Sequence, residues 1–407
     1  MSTTITNVQI FDGLKRHDAT SVTIESGIIT AIGGVVDSGV VVNGHGGTLL
    51  PGLIDAHVHT SGESLGLALR FGVTTELEMQ GTHTASRRSG VEHDDTVADV
   101  RSAGFGLTPP GGHPAELFPR DFHPGPPAGA SRPSGPRPVQ AFATTPDEAE
   151  AVVTRLVSDG SDYIKFMVDD GSIEGAPGTP MLDQATLNAG VAAAHRHGKL
   201  AVAHALTVQA SEMALHAGID GLAHLFMDQP HTRDIVASIQ RSGAFVTPCV
   251  VLNASMMGIN AASLAADPRV ASRLDDTWLK NLQISLNHYP QGRIEDVLAT
   301  VKALHEAGVD ILAGTDASIP APFMGGLAHG ASLHHELQYL VTAGLSPAEA
   351  LTAATSTPAR RFGLDDRGNI AVGLRADLLL VDGDPLEDIS DSLNIRGVWR
   401  RGVRLEP

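Results

Sequence analysis

Between residues 52 and 317 the chain alternates short apolar runs with stretches whose apolar residues recur every three or four positions. That is the pattern of strands interleaved with amphipathic helices. Strands are predicted to begin near Gly52, Val73, Phe105, Tyr163, Leu200, Gly221, Ala244 and Asp310, eight in all. Helical spacing is clear over Pro146 to Val157, where Ala149, Val152, Val153 and Leu156 follow the cap residue Thr145, and again over Ile294 to Ala307 and Leu327 to Val341. Strands alternating with helices imply βαβ units and a parallel sheet, and eight of them imply a (β/α)8 barrel. The ends of the chain read differently. From Thr4 to about Thr48, and again over 377–381 and 398–403, short alternating segments separated by glycines predict small antiparallel strands. No internal repeat is visible beyond these units. The irregular part is Pro109 to Pro138, dense in Pro and Gly, which would follow the third barrel strand as a lid or pocket wall. It carries His113 and His123, the latter read as an exposed loop histidine.

Several apolar runs end on residues that do not belong in a core. In Leu50-Pro51-Gly52-Leu53-Ile54-Asp55-Ala56-His57-Val58-His59, two histidines stand at i and i+2 and so leave a strand on the same face. Other runs end on His204, His224 and Asp316, and Lys165 lies inside the apolar frame Tyr163-Ile164-Lys165-Phe166-Met167, where an unpaired ammonium is costly to bury. In a parallel barrel the carboxyl ends of the strands meet on one face, and that face carries the chemistry. The alternative for Lys165 is a side chain that snorkels or pairs with Asp169 or Asp170.

The set His57-x-His59, Lys165, His204, His224 and Asp316 resembles the amidohydrolase superfamily in its two-metal, carboxylated-lysine form. Within it the likeness is to imidazolonepropionase-related proteins that include Xaa-Pro dipeptidases, arginine carboxypeptidases and ochratoxin-type amidases. It runs from Ile10-Phe11-Asp12-Gly13 to Gly397-Val398-Trp399, through Gly72-Val73-Thr74-Thr75, Gly111-Gly112-His113, Pro347-Ala348-Glu349-Ala350-Leu351 and Gly373-Leu374-Arg375-Ala376-Asp377-Leu378. The resemblance implies a barrel over 51–362, inserted in a small β-sandwich built from residues 1–50 and 363–407. It implies that His57, His59 and Asp316 hold one ion and His204 and His224 a second, with Lys165 bridging them as an N6-carboxylated carbamate. Imidazole and carboxylate suit Zn²⁺, the first expectation, and equally Mn²⁺, Fe²⁺ or Co²⁺. Two such ions activate a water for attack on a carbonyl at neutral pH. Asp316 would be the general acid and base, and His113 would steady the oxyanion or anchor the substrate.

The 407 residues exceed one ordinary domain but suit a barrel of about 250 residues with an appendage. A formal net charge of −18 argues against nucleic acid and anionic membranes as partners. No run approaches a membrane span, and the Met1-Ser2-Thr3-Thr4 start lacks the regions of a signal peptide, so a soluble cytoplasmic enzyme is expected, a homo-oligomer acting on a small molecule. The single Cys249, in apolar company, reads as a buried thiol rather than a nucleophile. Met167, Met227, Met256, Met257, Phe323 and Met324 are either core filler or an apolar pocket. Leu206 and Pro114 depart from the peptidase-like pattern, which weakens a carry-over of dipeptidase specificity. Two other readings remain open: a mononuclear cyclic amidohydrolase or deaminase using the same histidines, and hydrolysis of esters, lactones or phosphotriesters.

Overall fold

A computed structural model describes residues 2–34, 39–118 and 140–405. His123 and most of the Pro109 to Pro138 segment lie outside the described residues.

The α/β part holds two parallel sheets. One runs Asp99–Ser102, Val73–Glu78, Leu53–Val58, and the other Ile164–Met167, Ala201–His204, Gly221–Ala223, Phe245–Thr247. A few backbone hydrogen bonds link them and the segment after residue 309. Leu107 N donates to Lys165 O at 2.8 Å, Val246 N to Asp310 O at 2.9 Å, and Ala56 N to Ala313 O at 2.9 Å. The run at 310–313 therefore forms isolated bridges rather than the eighth strand expected.

The third strand also differs. It is Asp99–Ser102, and the apolar run at Phe105 contributes the isolated Leu107–Phe166 and Thr108–Phe142 bridges. Asp99 can sit in a buried strand because Arg367, Arg375 and Arg101 neutralise it.

Helices cover one side of these strands as the periodicity predicts. Helix Pro146–Ser158 is capped by the Thr145 hydroxyl, which accepts from Glu148 N, and buries Ala149, Val152, Val153 and Leu156. Helix Ile294–Glu306 matches its predicted range. The helix expected from Leu327 begins instead at Ala331. Gly330 is the reason: its φ of +74° breaks the helical path, and a Cβ there would lie 2.6 Å from Phe71.

The two ends of the chain meet in a pair of sheets. Strands Ile28–Ile32, Ser21–Glu25, Ser2–Thr6 and Val40–Asn43 form one, and 403–404, 395–400, 378–381, 48–51, 9–11 and 16–17 the other. Ile5, Val22, Ile29, Leu378 and Trp399 share one apolar cluster with residues from both. The sheets are mixed rather than antiparallel, since Ser2–Thr6 pairs in parallel with Val40–Asn43, and Gln9–Phe11 with Thr48–Pro51. No helix among the described residues is long and apolar enough to cross a membrane.

Candidate metal centre

Strands covered on both faces should be apolar throughout. Four buried polar side chains in them belong to the candidate site: Asp55 and His57 in Leu53–Val58, Lys165 in Ile164–Met167, and His204 at the end of Ala201–His204.

His57, His59 and Asp316 converge on one point. His57 Nε2 lies 3.0 Å and His59 Nε2 2.8 Å from the same Asp316 Oδ1. Two imidazoles sharing one carboxylate oxygen, with all three ligand atoms within 4.8 Å of one another, is the arrangement a divalent ion needs once it replaces the imidazole protons. The far nitrogens are held too: His59 Nδ1 faces Gln80 O at 3.1 Å, and Cys249 Sγ lies 3.7 Å from His57 Nδ1. Asp316 reaches this point through a strained turn. Its φ is +64°, unusual for a residue with a side chain, and it is held by Asp316 N to His57 O at 2.8 Å. Thr315 secures the turn by donating its hydroxyl to Asp55 Oδ2 at 2.8 Å.

His224, also at positive φ (+78°), brings its ring 4.5 Å from that of His57 and 4.7 Å from that of His204. His204 Nε2 is tied to Asp169 Oδ2 at 3.0 Å, which fixes the tautomer and leaves Nδ1 to bind an ion. Asp169 is therefore engaged by His204 and does not pair with Lys165. The Lys165 Nζ and the His224 Nδ1 are buried without a hydrogen-bond partner. His204 and His224 do not share one close ligand group among the described residues. His204 gathers instead with His113 and Glu174, and His224 with His57 and Cys249, which are the further candidate donors beside each.

The electrostatics agree. Burial, with Lys165 adding to it, pushes His57 down to about 3, and burial holds His204 and His224 well below the ordinary histidine value. All three are neutral and ready to bind a cation. Burial lowers Lys165 to about 7, against a partial pull upward from Asp316. Burial would raise Asp316, but His57 and His59 outweigh it and keep the carboxylate ionised. His113 stacks on His204 with centroids 4.1 Å apart, and its Nδ1 faces Glu116 Oε1 at 2.5 Å. Burial opposes its charge, yet Glu116 and Glu174 raise it above the ordinary value. Cys249 is buried and pushed upward by burial and the nearby carboxylates, so it is a neutral thiol, as expected. Met167, Met227, Met256 and Met257 are buried, the last three within the main core.

Every residue of the predicted ligand set thus lies in one place. The sequence reading missed Asp55, Glu116 and Glu174, and offered Asp169 only as an alternative partner of Lys165 rather than of His204. Asp55 had a signal, since it precedes His57 by two and shares its strand face; Asp169 had one in following the Lys165 strand directly.

Residues 48–405 match the family model described as "Amidohydrolase family". The chain belongs to the amidohydrolase family. Membership places it among metal-using hydrolases of carbon–nitrogen bonds. An uncharacterized protein of Mycobacterium bovis is 28% identical to this amidohydrolase over 346 residues, 84% of this chain and 80% of its relative. The fold is shared with a crystal structure of a Xaa-Pro dipeptidase with bound methionine, at TM-score 0.75 and 22% identity over 100% of both chains. It is shared equally with phenylurea hydrolase B, at TM-score 0.75 and 22% identity over 100% of this chain and 97% of the other.

Proposed function

We propose that this amidohydrolase cleaves the C–N amide bond of a small molecule at a two-metal centre bridged by a carboxylated Lys165. The centre lies at the carboxyl ends of a (β/α)8 barrel over 51–362, flanked by a β-sandwich of residues 1–50 and 363–407. The observation that carries this reading is Lys165 itself: a nearly fully buried amine without a hydrogen bond, within electrostatic reach of Asp316 and among neutral histidines. An ammonium there would repel a cation, whereas a carbamate is an anion that joins two.

When bound, the ions supply an activated water and polarise the substrate carbonyl. The chain's own groups do the rest. Asp316 turns Oδ1 to both imidazoles, and no hydrogen bond engages Oδ2 among the described residues, so Oδ2 can take the water's proton and pass it to the leaving nitrogen. His113, whose charged form Glu116 favours, can donate toward the negative charge that develops on the substrate oxygen. Asp169 holds the His204 ring in register. The names of the structural relatives, a dipeptidase and a phenylurea hydrolase, agree with amide or urea-type bonds of small molecules.

The test is reconstitution of chelator-stripped protein with zinc and bicarbonate between about pH 6 and 9, read by amine release from a panel of dipeptides, N-acyl amines and phenylureas. Carbamate formation needs the neutral amine, which exists above the folded pKa. Activation should therefore rise through about pH 7, where burial has brought Lys165, rather than near the ordinary lysine value of 10.5. Activation that ignores bicarbonate and stays flat across this range would count against the carbamate; no turnover of any amide would count against the reaction.

A further inference from the structure

A cavity of about 800 Å³ lies away from the metal ligands and plays no part in the mechanism above. Arg70 marks its place. It ends helix Gly62–Arg70, which starts close to His59 and carries the chain roughly 13 Å along its axis to the opposite end of the strands. Arg273, Arg396 and Arg404 line it as well, making four arginines in all, and Ile395 and Val398 supply apolar wall.

Only one of the four is neutralised, Arg396 by Asp382. Arg273 is aimed by backbone, donating to Arg269 O and Ile395 O at 3.0 Å each. Arg404 lies over the Trp399 ring at 5.3 Å and donates to Arg396 O at 3.3 Å. Neither of these, nor Arg70, has a carboxylate partner among the described residues. This occurs in a chain with 46 acidic residues against 28 Lys and Arg, where carboxylates are abundant. Like charges gathered without counter-charge repel, and the repulsion is relieved when an anion enters. Guanidinium forks suit planar or tetrahedral oxyanions held by paired hydrogen bonds, and the cavity falls in the volume range of small-molecule sites.

We propose that this cleft is a second binding site, for a small organic anion carrying two or more negative charges of the phosphate-ester or polycarboxylate type. Its apolar wall favours an organic framework over a bare inorganic ion.

Calorimetric titration of the metal-loaded enzyme at constant ionic strength tests this, with fructose 1,6-bisphosphate as the phosphate ester and propane-1,2,3-tricarboxylate as the polycarboxylate. At least one should bind the native protein below about 1 mM, and the one that binds names the class. In Arg70→Gln/Arg404→Gln, both surface changes, that affinity should weaken by about tenfold or more while metal content and turnover persist. Arg273→Gln should weaken it as well and guards against a fold defect in the double variant. No binding of either probe below about 10 mM, or equal affinity in native and variant proteins, overturns the proposal, the latter because the anion then resides elsewhere.

Discussion

Lys165→Ala is expected to bind one divalent ion per chain in place of two and to turn over about 100- to 1000-fold more slowly, the several kcal/mol that a second ion contributes. The cause is the loss of the donor proposed to join the His57–His59–Asp316 position to the His204–His224 position. Formate or acetate should partly restore both the second ion and turnover by entering the space the side chain vacates. Rescue separates a missing bridge from a damaged barrel, since a misfolded core would not respond to a small carboxylate. Removing a buried lysine of this size leaves a void, so circular dichroism should show the fold intact before activity is compared. Full activity with two ions and no added carboxylate would eliminate Lys165 as the bridge.

Asp316→Asn should lower kcat by about 100- to 10,000-fold, the range for loss of a general acid–base group. The substitution keeps the shape and the oxygen that faces His57 and His59 but removes the basic oxygen that takes the proton. The strained backbone at this position, with φ of +64°, is as tolerable for asparagine as for aspartate, so the turn should survive. Metal content has to be measured alongside, because Asp316 is also a proposed ligand. Near-normal turnover with both ions retained would remove it from proton transfer.

The period-two reading of Leu53–Val58 placed His57 and His59 together because strand side chains alternate, and that rule depends on nothing distant. The same rule offered Asp55, which was passed over because a carboxylate inside an apolar strand has no local reason to exist. Its reason is Thr315, far along the chain, whose hydroxyl it accepts to secure the Asp316 turn. The Asp169–His204 pair needs the parallel pairing of Ile164–Met167 with Ala201–His204, whereas Glu116 stands only three residues from His113 and meets it through the short turn at Ala115–Leu117. The third strand was misplaced because Phe105-Gly106-Leu107 is apolar while Asp99-Val100-Arg101-Ser102 looks polar; only the buried arginines that neutralise Asp99 make the latter a core strand. Helix ranges such as Pro146–Ser158 came out well because cap and apolar spacing are both local. The parallel pairing of Ser2–Thr6 with Val40–Asn43 reflects a crossover that no local pattern records.

The central claim is a pair of divalent ions held by His57, His59, Asp316, His204, His224 and the carboxylated Lys165. Elemental analysis of protein purified without chelators and dialysed against trace metal and bicarbonate measures it directly, with turnover followed on the same samples. About two equivalents per chain, with activity rising until the second is filled, is the expected result. Saturation at one equivalent with full activity would contradict it and leave the mononuclear alternative.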